Sequence, residues 1–117
     1  MWAVRERGHD SKVIVEMRTY KVKPGLRPEF LKVFEAVSVP AHADSGMPIV
    51  GPFLSIEDPD VFFFMRGFPD LQSRDSSKRR FYEGPLWKDE LEGLLMPMLD
   101  RYDVVLVDDP NGRICWE

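Results

Sequence analysis

The chain has 117 residues, of which 44% are hydrophobic and 31% charged, and its formal net charge at pH 7 is −4. This length provides one hydrophobic core and therefore one domain. No apolar run approaches the roughly 20 residues that span a bilayer, the charged opening lacks the apolar segment of a secretory signal, and acidic and basic residues are interspersed. We therefore expect a cytoplasmic domain with no membrane span and no nucleic-acid partner.

Residues 1–11 mix charged side chains with Gly8 and have neither helical nor strand periodicity, so we interpret them as a flexible leader. The residues that follow alternate with the two-residue period of a β-strand. One face of this strand is apolar, and the other includes a carboxylate, a guanidinium and a phenol. The apolar row is Val13, Val15, Met17 and Thr19, and the other row is Ile14, Glu16, Arg18 and Tyr20.

A Pro-Gly turn ends this strand, and a helix is predicted over residues 27–39 from its apolar positions at helical spacing. Pro28 falls in the first turn of that helix, where a missing N–H is tolerated. Pro40 should kink or end the helix, because its ring removes a backbone hydrogen bond. Residues 41–48 are rich in turn formers, so His42 is predicted to lie in a connection between elements.

The second half of the chain contains two apolar strands joined by a turn, and then helical and strand segments. Asp70 is placed to cap a helix that runs to about Tyr82, with a long polar face on which Lys78 and its basic neighbours are expected to be solvated. The predicted segments are strands over residues 49–56, 61–68 and 102–107, a second helical piece over residues 85–97, and a tail over residues 110–117.

The order strand, helix, strand, strand, helix, strand predicts an α+β domain of the ferredoxin-like type, with a four-stranded antiparallel sheet and helices on one face. The other face of the sheet is then bare. We place the polar row of the first strand on this bare face, beside the third-strand row that contains Arg66. Such a face needs a partner, so we predict a homodimer held by sheet-to-sheet packing. Its interface would contain a polar network of Glu16, Arg18, Tyr20 and Arg66.

The string VEMRTY at residues 15–20, followed by KPG at residues 23–25, resembles the opening of NIPSNAP-family domains. Further matches are GPF at residues 51–53, the Arg74-Asp75 pair and Trp87. The resemblance covers most of the chain from about Lys12 to Val107, and we take residues 12–109 as the domain. It implies a dimeric α/β barrel. The broader superfamily includes cofactor-independent monooxygenases, small isomerases and haem-handling enzymes, whereas NIPSNAP domains have no settled activity.

Few residues could carry chemistry. His42 is the one histidine outside the leader, so general base work would fall to it; the alternative is an idle loop histidine. Tyr82, Trp87 and Leu91 could line a substrate pocket, although aromatic residues at this spacing are also typical of a core. With no second histidine or cysteine beside His42, no zinc site is expected, and the lone Cys115 excludes an intrachain disulfide. We expect no cofactor.

Two functions of different classes fit these observations. In the first, the domain binds or converts a small, largely apolar or aromatic molecule in a pocket between sheet and helices, with His42, Tyr82 and Trp87 at its mouth. In the second, it is a non-catalytic dimeric module. Glu16, Arg18 and Arg66 are open to both interpretations, because a carboxylate beside two cations could serve either a reaction or an interface.

Overall fold

The computed structural model describes residues 12–116. The predicted leader, residues 1–11, lies outside the described residues, as does Glu117, and the domain limits at residues 12 and 109 stay a prediction. The strands are β1 (Ile14–Val22), β2 (Ile49–Leu54), β3 (Val61–Phe68) and β4 (Leu99–Asp108), and the α-helices are α1 (Arg27–Val33), α2 (Val39–Asp44), α3 (Leu71–Tyr82) and α4 (Glu92–Leu95).

The four strands form one antiparallel sheet in the order β2-β3-β1-β4. The two central strands are β1 and β3. In the register, Arg18 of β1 lies opposite Phe64 of β3 on one side and Val104 of β4 on the other. The predicted α+β, ferredoxin-like fold is confirmed.

The cap of α3 follows from its sequence as predicted. Asp70 has an extended backbone, and its Oδ1 accepts a hydrogen bond from the Ser73 N–H at 2.7 Å. A side-chain acceptor at this position satisfies one of the donors that the first helical turn leaves without a partner.

The first helical segment continues beyond Pro40, where we had expected it to kink or end. A π-helical turn (Phe34–Ser38) joins α1 to α2, and Pro40 lies in the first turn of α2. A proline is tolerated there because the N–H that it lacks needs no partner within the new helix. As a result His42 lies on a helix, and its predicted place in a loop was wrong.

The region after α3 is less regular than predicted. It consists of a π-helical segment (Leu86–Leu91), the short helix α4 and a 3₁₀ turn (Met96–Met98). Strand β4 then begins at Leu99, three residues before the predicted start at residue 102. None of the helices in the described part of the chain is both long and apolar enough to cross a membrane.

The polar row of β1 lies on the helix-covered face of the sheet, so our assignment of this row to the bare face was wrong. Glu16 is fully buried and pairs with Arg74 and Lys78 of α3. The charges are tolerated beneath the helices because they are paired. The hydrophobic core fills the same layer and consists of Val22, Phe30, Leu31, Phe34, Met47, Phe62, Phe64, Phe68, Phe81, Leu91 and Leu95.

The opposite face of the sheet carries the apolar row of β1 and is not covered by helices. Along the register, Met17 of β1 lies between Met65 of β3 and Val105 of β4. Val105 and Phe53 are more than half exposed, at 59% and 52%. We call this surface the open face.

Candidate functional site

The centre of the candidate site is a single buried carboxylate, that of Glu16. Its Oε1 accepts hydrogen bonds of 2.7 Å from Arg18 Nη1 and from Arg66 Nε, and Arg66 Nη2 lies 2.6 Å away. Its Oε2 accepts from Arg74 Nε at 2.7 Å and from Lys78 Nζ at 3.2 Å. Three elements, β1, β3 and α3, thus converge on one side chain.

The pKa of Glu16 reflects two opposed effects. Burial alone raises the pKa, because it disfavours the charged form, but the cations Arg66, Arg18 and Lys78 outweigh burial and lower the pKa from 4.5 to about 2. Glu16 is therefore ionised at any physiological pH, and it is unsuited to accept or release a proton near neutrality.

Arg66 connects this carboxylate to His42 and Tyr82. The Arg66 side chain is fully buried, and its Nη1 donates to the Tyr82 hydroxyl at 2.8 Å and lies 3.0 Å from His42 Nε2. A guanidinium can only donate, so His42 Nε2 is the acceptor. The other ring nitrogen, Nδ1, lies 2.7 Å from the carbonyl oxygen of Ser38 and therefore carries the proton.

The surroundings of His42 keep its imidazole neutral. Burial lowers its pKa most, Arg66 lowers it further, and the hydrogen bond to Ser38 opposes both, for a net pKa of about 3. The ring is 4% exposed and packs against Phe81, with the ring centroids 4.2 Å apart. Both ring nitrogens are engaged in hydrogen bonds, one with Ser38 and one with Arg66.

Arg18 lies among aromatic rings. Its guanidinium carbon is 5.5 Å from the centre of the Tyr20 ring and 5.4 Å from that of Tyr102, and its Nη2 donates to the Tyr20 hydroxyl at 3.0 Å. Stacking on rings suits the planar guanidinium. Within residues 12–116, its buried Nε has no hydrogen-bond partner.

A cavity of about 270 Å³ lies beside this network, between the sheet and the helical segments. Its volume lies just below the usual range for ligand pockets, roughly 300–1,000 Å³. The wall has a cationic part and an aromatic or apolar part. The lining residues are Arg18, Tyr20, Arg66, Lys78, Tyr82, Trp87, Met96, Leu99 and Tyr102. We call this space the main cavity, to distinguish it from a smaller cavity that adjoins it.

A second space of about 30 Å³, the inner cavity, adjoins the main cavity and shares five lining residues with it: Tyr20, Tyr82, Trp87, Met96 and Leu99. It extends towards the π-helical turn and is also lined by Ser38 and His42. Its volume suits about one water molecule. The part of the site nearest His42 is therefore too small for the body of a ligand.

The structure brings together most of the residues that the sequence singled out, but in a different layer of the fold. Tyr82 and Trp87 line both cavities, with ring centroids 5.0 Å apart, whereas Leu91 is 2% exposed and belongs to the core. Glu16, Arg18, Tyr20 and Arg66 form one network, yet beneath the helices of their own chain. The reason that we gave for placing them at a dimer interface, an uncovered polar face, is therefore removed.

Two of the cations, Arg74 and Lys78, were not predicted as part of the site. Both belong to the polar side of α3, which we had assigned to solvent as a whole. Their spacing of four residues puts them on the same helix face, one turn apart. Of the described residues, no group of three or more His, Cys, Asp and Glu side chains is arranged to hold a metal ion.

Comparisons with known proteins agree with this architecture. No curated protein matches the chain. Among solved structures, a NIPSNAP-like domain protein from Burkholderia xenovorans has a TM-score of 0.78 at 20% identity, covering 92% of this chain and 93% of that one. A NIPSNAP family protein of unknown function from Agrobacterium tumefaciens has a TM-score of 0.75 at 24% identity, covering 86% of this chain and 91% of that one.

At these identities the structural likeness establishes the fold alone. The sequence itself supplies the family, because the family model for NIPSNAP matches residues 15–96, well over half of the chain. This span contains Glu16, Arg66 and the whole of α3, and it therefore includes every member of the buried ion-pair network. The chain belongs to the NIPSNAP family.

Proposed function

We propose that this NIPSNAP domain is a cytoplasmic, homodimeric protein that binds a small molecule in the main cavity. The observation that carries the proposal is the cavity itself, about 270 Å³ between sheet and helices. Its wall combines aromatic surface with a few polar groups held in place by a buried network, which is the usual composition of a ligand pocket.

The aromatic walls support binding of a flat or apolar molecule. Tyr82 and Trp87 meet edge to face at 88°, and Tyr20 and Tyr102 lie 5.3 Å apart. Each of these four side chains packs against another ring, so the wall is already ordered before a ligand enters. Preorganisation of this kind reduces the entropy that binding costs.

We assign His42 a positioning role in this proposal. Its Nε2 accepts from Arg66 and its Nδ1 donates to Ser38, so neither nitrogen is free to take a proton from a substrate. The same contacts hold Arg66 in the orientation in which it meets Glu16. This arrangement favours binding without acid–base chemistry at His42.

A second candidate function is cofactor-independent chemistry of the isomerase or monooxygenase kind. Its support is Tyr82, whose hydroxyl accepts a hydrogen bond from Arg66 Nη1 while its side chain lines the main cavity. A phenol held by a guanidinium is suitably placed to give a proton to a bound molecule. In this alternative Tyr82, rather than His42, is the catalytic residue.

The proposed homodimer now rests on the open face. Phe53 and Phe63 lie side by side across β2 and β3, and Met17, Met65 and Val105 lie side by side in the next part of the sheet. A contiguous apolar surface of this kind is typical of an interface. A second copy offers the same surface, which suits a twofold contact.

The binding proposal can be tested by a thermal-shift screen of small aromatic and apolar molecules with one blocked variant. Met96→Trp places a larger side chain at the wall of both cavities and should abolish the shift produced by any ligand found. Leu94→Trp is the matched control, because Leu94 is 50% exposed and is absent from both cavity walls. A ligand that binds both variants as tightly as the parent protein would place the site elsewhere.

A further inference from the structure

We infer that the ligand of the main cavity carries an anionic oxygen group, a carboxylate or a phosphate, on an aromatic or apolar body. The inference deepens the proposed function and rests on it. It assigns the anionic group to the part of the wall formed by Arg18 and Lys78, and the body to the part formed by Trp87, Met96 and Tyr102.

The first reason is an imbalance of charge. Among the ion pairs within the described chain, the four cations that meet Glu16 have that one carboxylate as their shared partner: Arg18, Arg66, Arg74 and Lys78. His42 faces Arg66 as a neutral acceptor and adds no negative charge. The network therefore carries a large excess of positive charge next to the main cavity.

The second reason is burial. Arg66 and Arg18 are 0% and 5% exposed, so water screens their charge poorly. Lys78 keeps 30% of its side chain exposed, and its Nζ is 3.2 Å from Glu16. An anion entering the main cavity would meet cations that are held in place and only partly neutralised, and such contacts are stronger than those between neutral groups.

The third reason is a set of hydrogen-bond donors beside these cations. The Tyr20 hydroxyl accepts from Arg18 and keeps its own O–H as a donor, because burial raises the pKa of Tyr20 and holds the phenol protonated. Lys78 has three N–H donors, of which one is used by Glu16. The cationic part of the wall thus offers donors to a ligand.

The rest of the main-cavity wall favours a ligand whose uncharged part is aromatic or apolar. Trp87, Met96 and Leu99 contribute apolar surface, and Tyr102 contributes a ring that also stacks on Arg18. A free inorganic anion would leave this surface in contact with water. A small aromatic acid would cover it while its charged end lies against the cations, so we favour this class over an inorganic ion.

The test uses matched probes with one ring system and different end groups. The affinities are measured by isothermal titration calorimetry. One series is 2-naphthoate, 2-naphthamide and 2-naphthyl phosphate, and the other is benzoate, benzamide and phenyl phosphate. The anions should bind about tenfold or more tightly than the amides, as expected when a charge-assisted hydrogen bond is gained. For each ring system, the anion that binds more tightly shows whether the site prefers a carboxylate or a phosphate. Either preference supports the inference.

Two variants locate the anionic group. Lys78→Gln should reduce the affinity for the anions about tenfold and leave the affinity for the amides nearly unchanged. Lys78 is partly exposed, so this variant should fold. Arg79→Gln is the matched control, since Arg79 is the exposed neighbouring residue and is absent from the wall of the main cavity.

The outcomes separate this inference from the proposed function. Equal affinity for anions and amides, with loss of both in Met96→Trp, would overturn the inference and keep the cavity as a binding site. An anion preference that is unchanged in Lys78→Gln would overturn the assignment to this wall. Failure of every probe to bind would overturn the inference, and it would overturn the proposed function as well if the thermal-shift screen also finds no ligand.

Discussion

His42 Nε2 lies 3.0 Å from Arg66 Nη1 and accepts its hydrogen bond. A protonated imidazole would place a second positive charge against a guanidinium that cannot lose its own. The contact therefore ties the charge state of His42 to the integrity of the buried network. Lowering the pH therefore tests whether His42 is neutral and bound to Arg66 in the folded protein.

The folded protein should lose stability as the pH falls below about 6.5. The pKa of His42 is lowered from 6.5 to about 3 on folding, so between these values the unfolded chain binds a proton that the folded chain does not. One such proton corresponds to at most about 1.4 kcal/mol per pH unit. Urea unfolding at pH 7, 6 and 5 should show this slope in the parent protein.

His42→Gln should flatten the slope between pH 7 and 5, because its amide oxygen can still accept from Arg66 but does not titrate. His9→Gln is the control, since it removes the other of the two histidines. An equal slope in the parent protein and His42→Gln would contradict the neutral, buried imidazole.

Glu16→Gln should destabilise the domain by about 3–5 kcal/mol, since it removes the one carboxylate that neutralises several buried cations. Its pKa is lowered from 4.5 to about 2, so the stability that it supplies is present above pH 4.5 and is lost as the pH falls towards 2. Chemical denaturation at pH 7 measures the first effect. A change below about 1 kcal/mol would mean that the cations are not held by Glu16.

The two arginines that bind Glu16 from other elements should differ in their importance. Arg66→Gln is expected to cost about 3–5 kcal/mol, because Arg66 is fully buried and also binds His42 and Tyr82. Arg74→Gln should cost about 1 kcal/mol or less, because the Arg74 side chain is 22% exposed and water can replace part of its contact. Similar losses in the two variants, measured by urea unfolding, would contradict this ranking.

The protein should be a dimer that a charge on the open face disrupts. Light scattering should give twice the chain mass of 13.6 kDa at micromolar concentration. Val105→Glu should give monomers, because Val105 is 59% exposed on the open face and a buried, unpaired carboxylate is costly there. Ile56→Glu, at a fully exposed turn residue, should remain a dimer. A monomeric parent protein would remove the homodimer from the proposal.

The periodicity of β1 predicted a strand but not the face that the helices cover. We had assumed that the row with fewer charges faces the core, which holds when buried polar groups find no partners. Here three of the four partners of Glu16, Arg66, Arg74 and Lys78, come from residues 50 to 62 positions away in the sequence. Such pairing depends on the register of β1 with β3 and on the rotation of α3, and neither can be obtained from local pattern.

The helix cap at Asp70 could be predicted from the sequence because it is a local contact. The Asp70 side chain accepts a hydrogen bond from the backbone N–H only three residues away. The π-helical turn before Pro40 could not be predicted, since its stability depends on how Phe34 and Ser38 pack in the core. His42 shifted from a predicted loop to a helix for this reason. The contact between His42 and Arg66 could not be predicted either, because it forms only when β3 and α2 come together in the fold.

The most direct test of a ligand site between sheet and helices is ¹⁹F NMR of protein labelled with fluorotryptophan. Trp87 lines the main cavity, whereas the Trp116 indole lies over Gly67 on the open face and serves as an internal reference. The chain has three tryptophans, so the Trp2→Phe, Trp87→Phe and Trp116→Phe variants assign the three signals. On titration with the best anion from the probe series, the account predicts a saturable shift of the Trp87 signal and an unmoved Trp116 signal. A shift confined to Trp116, or saturable binding with no change at Trp87, would contradict it.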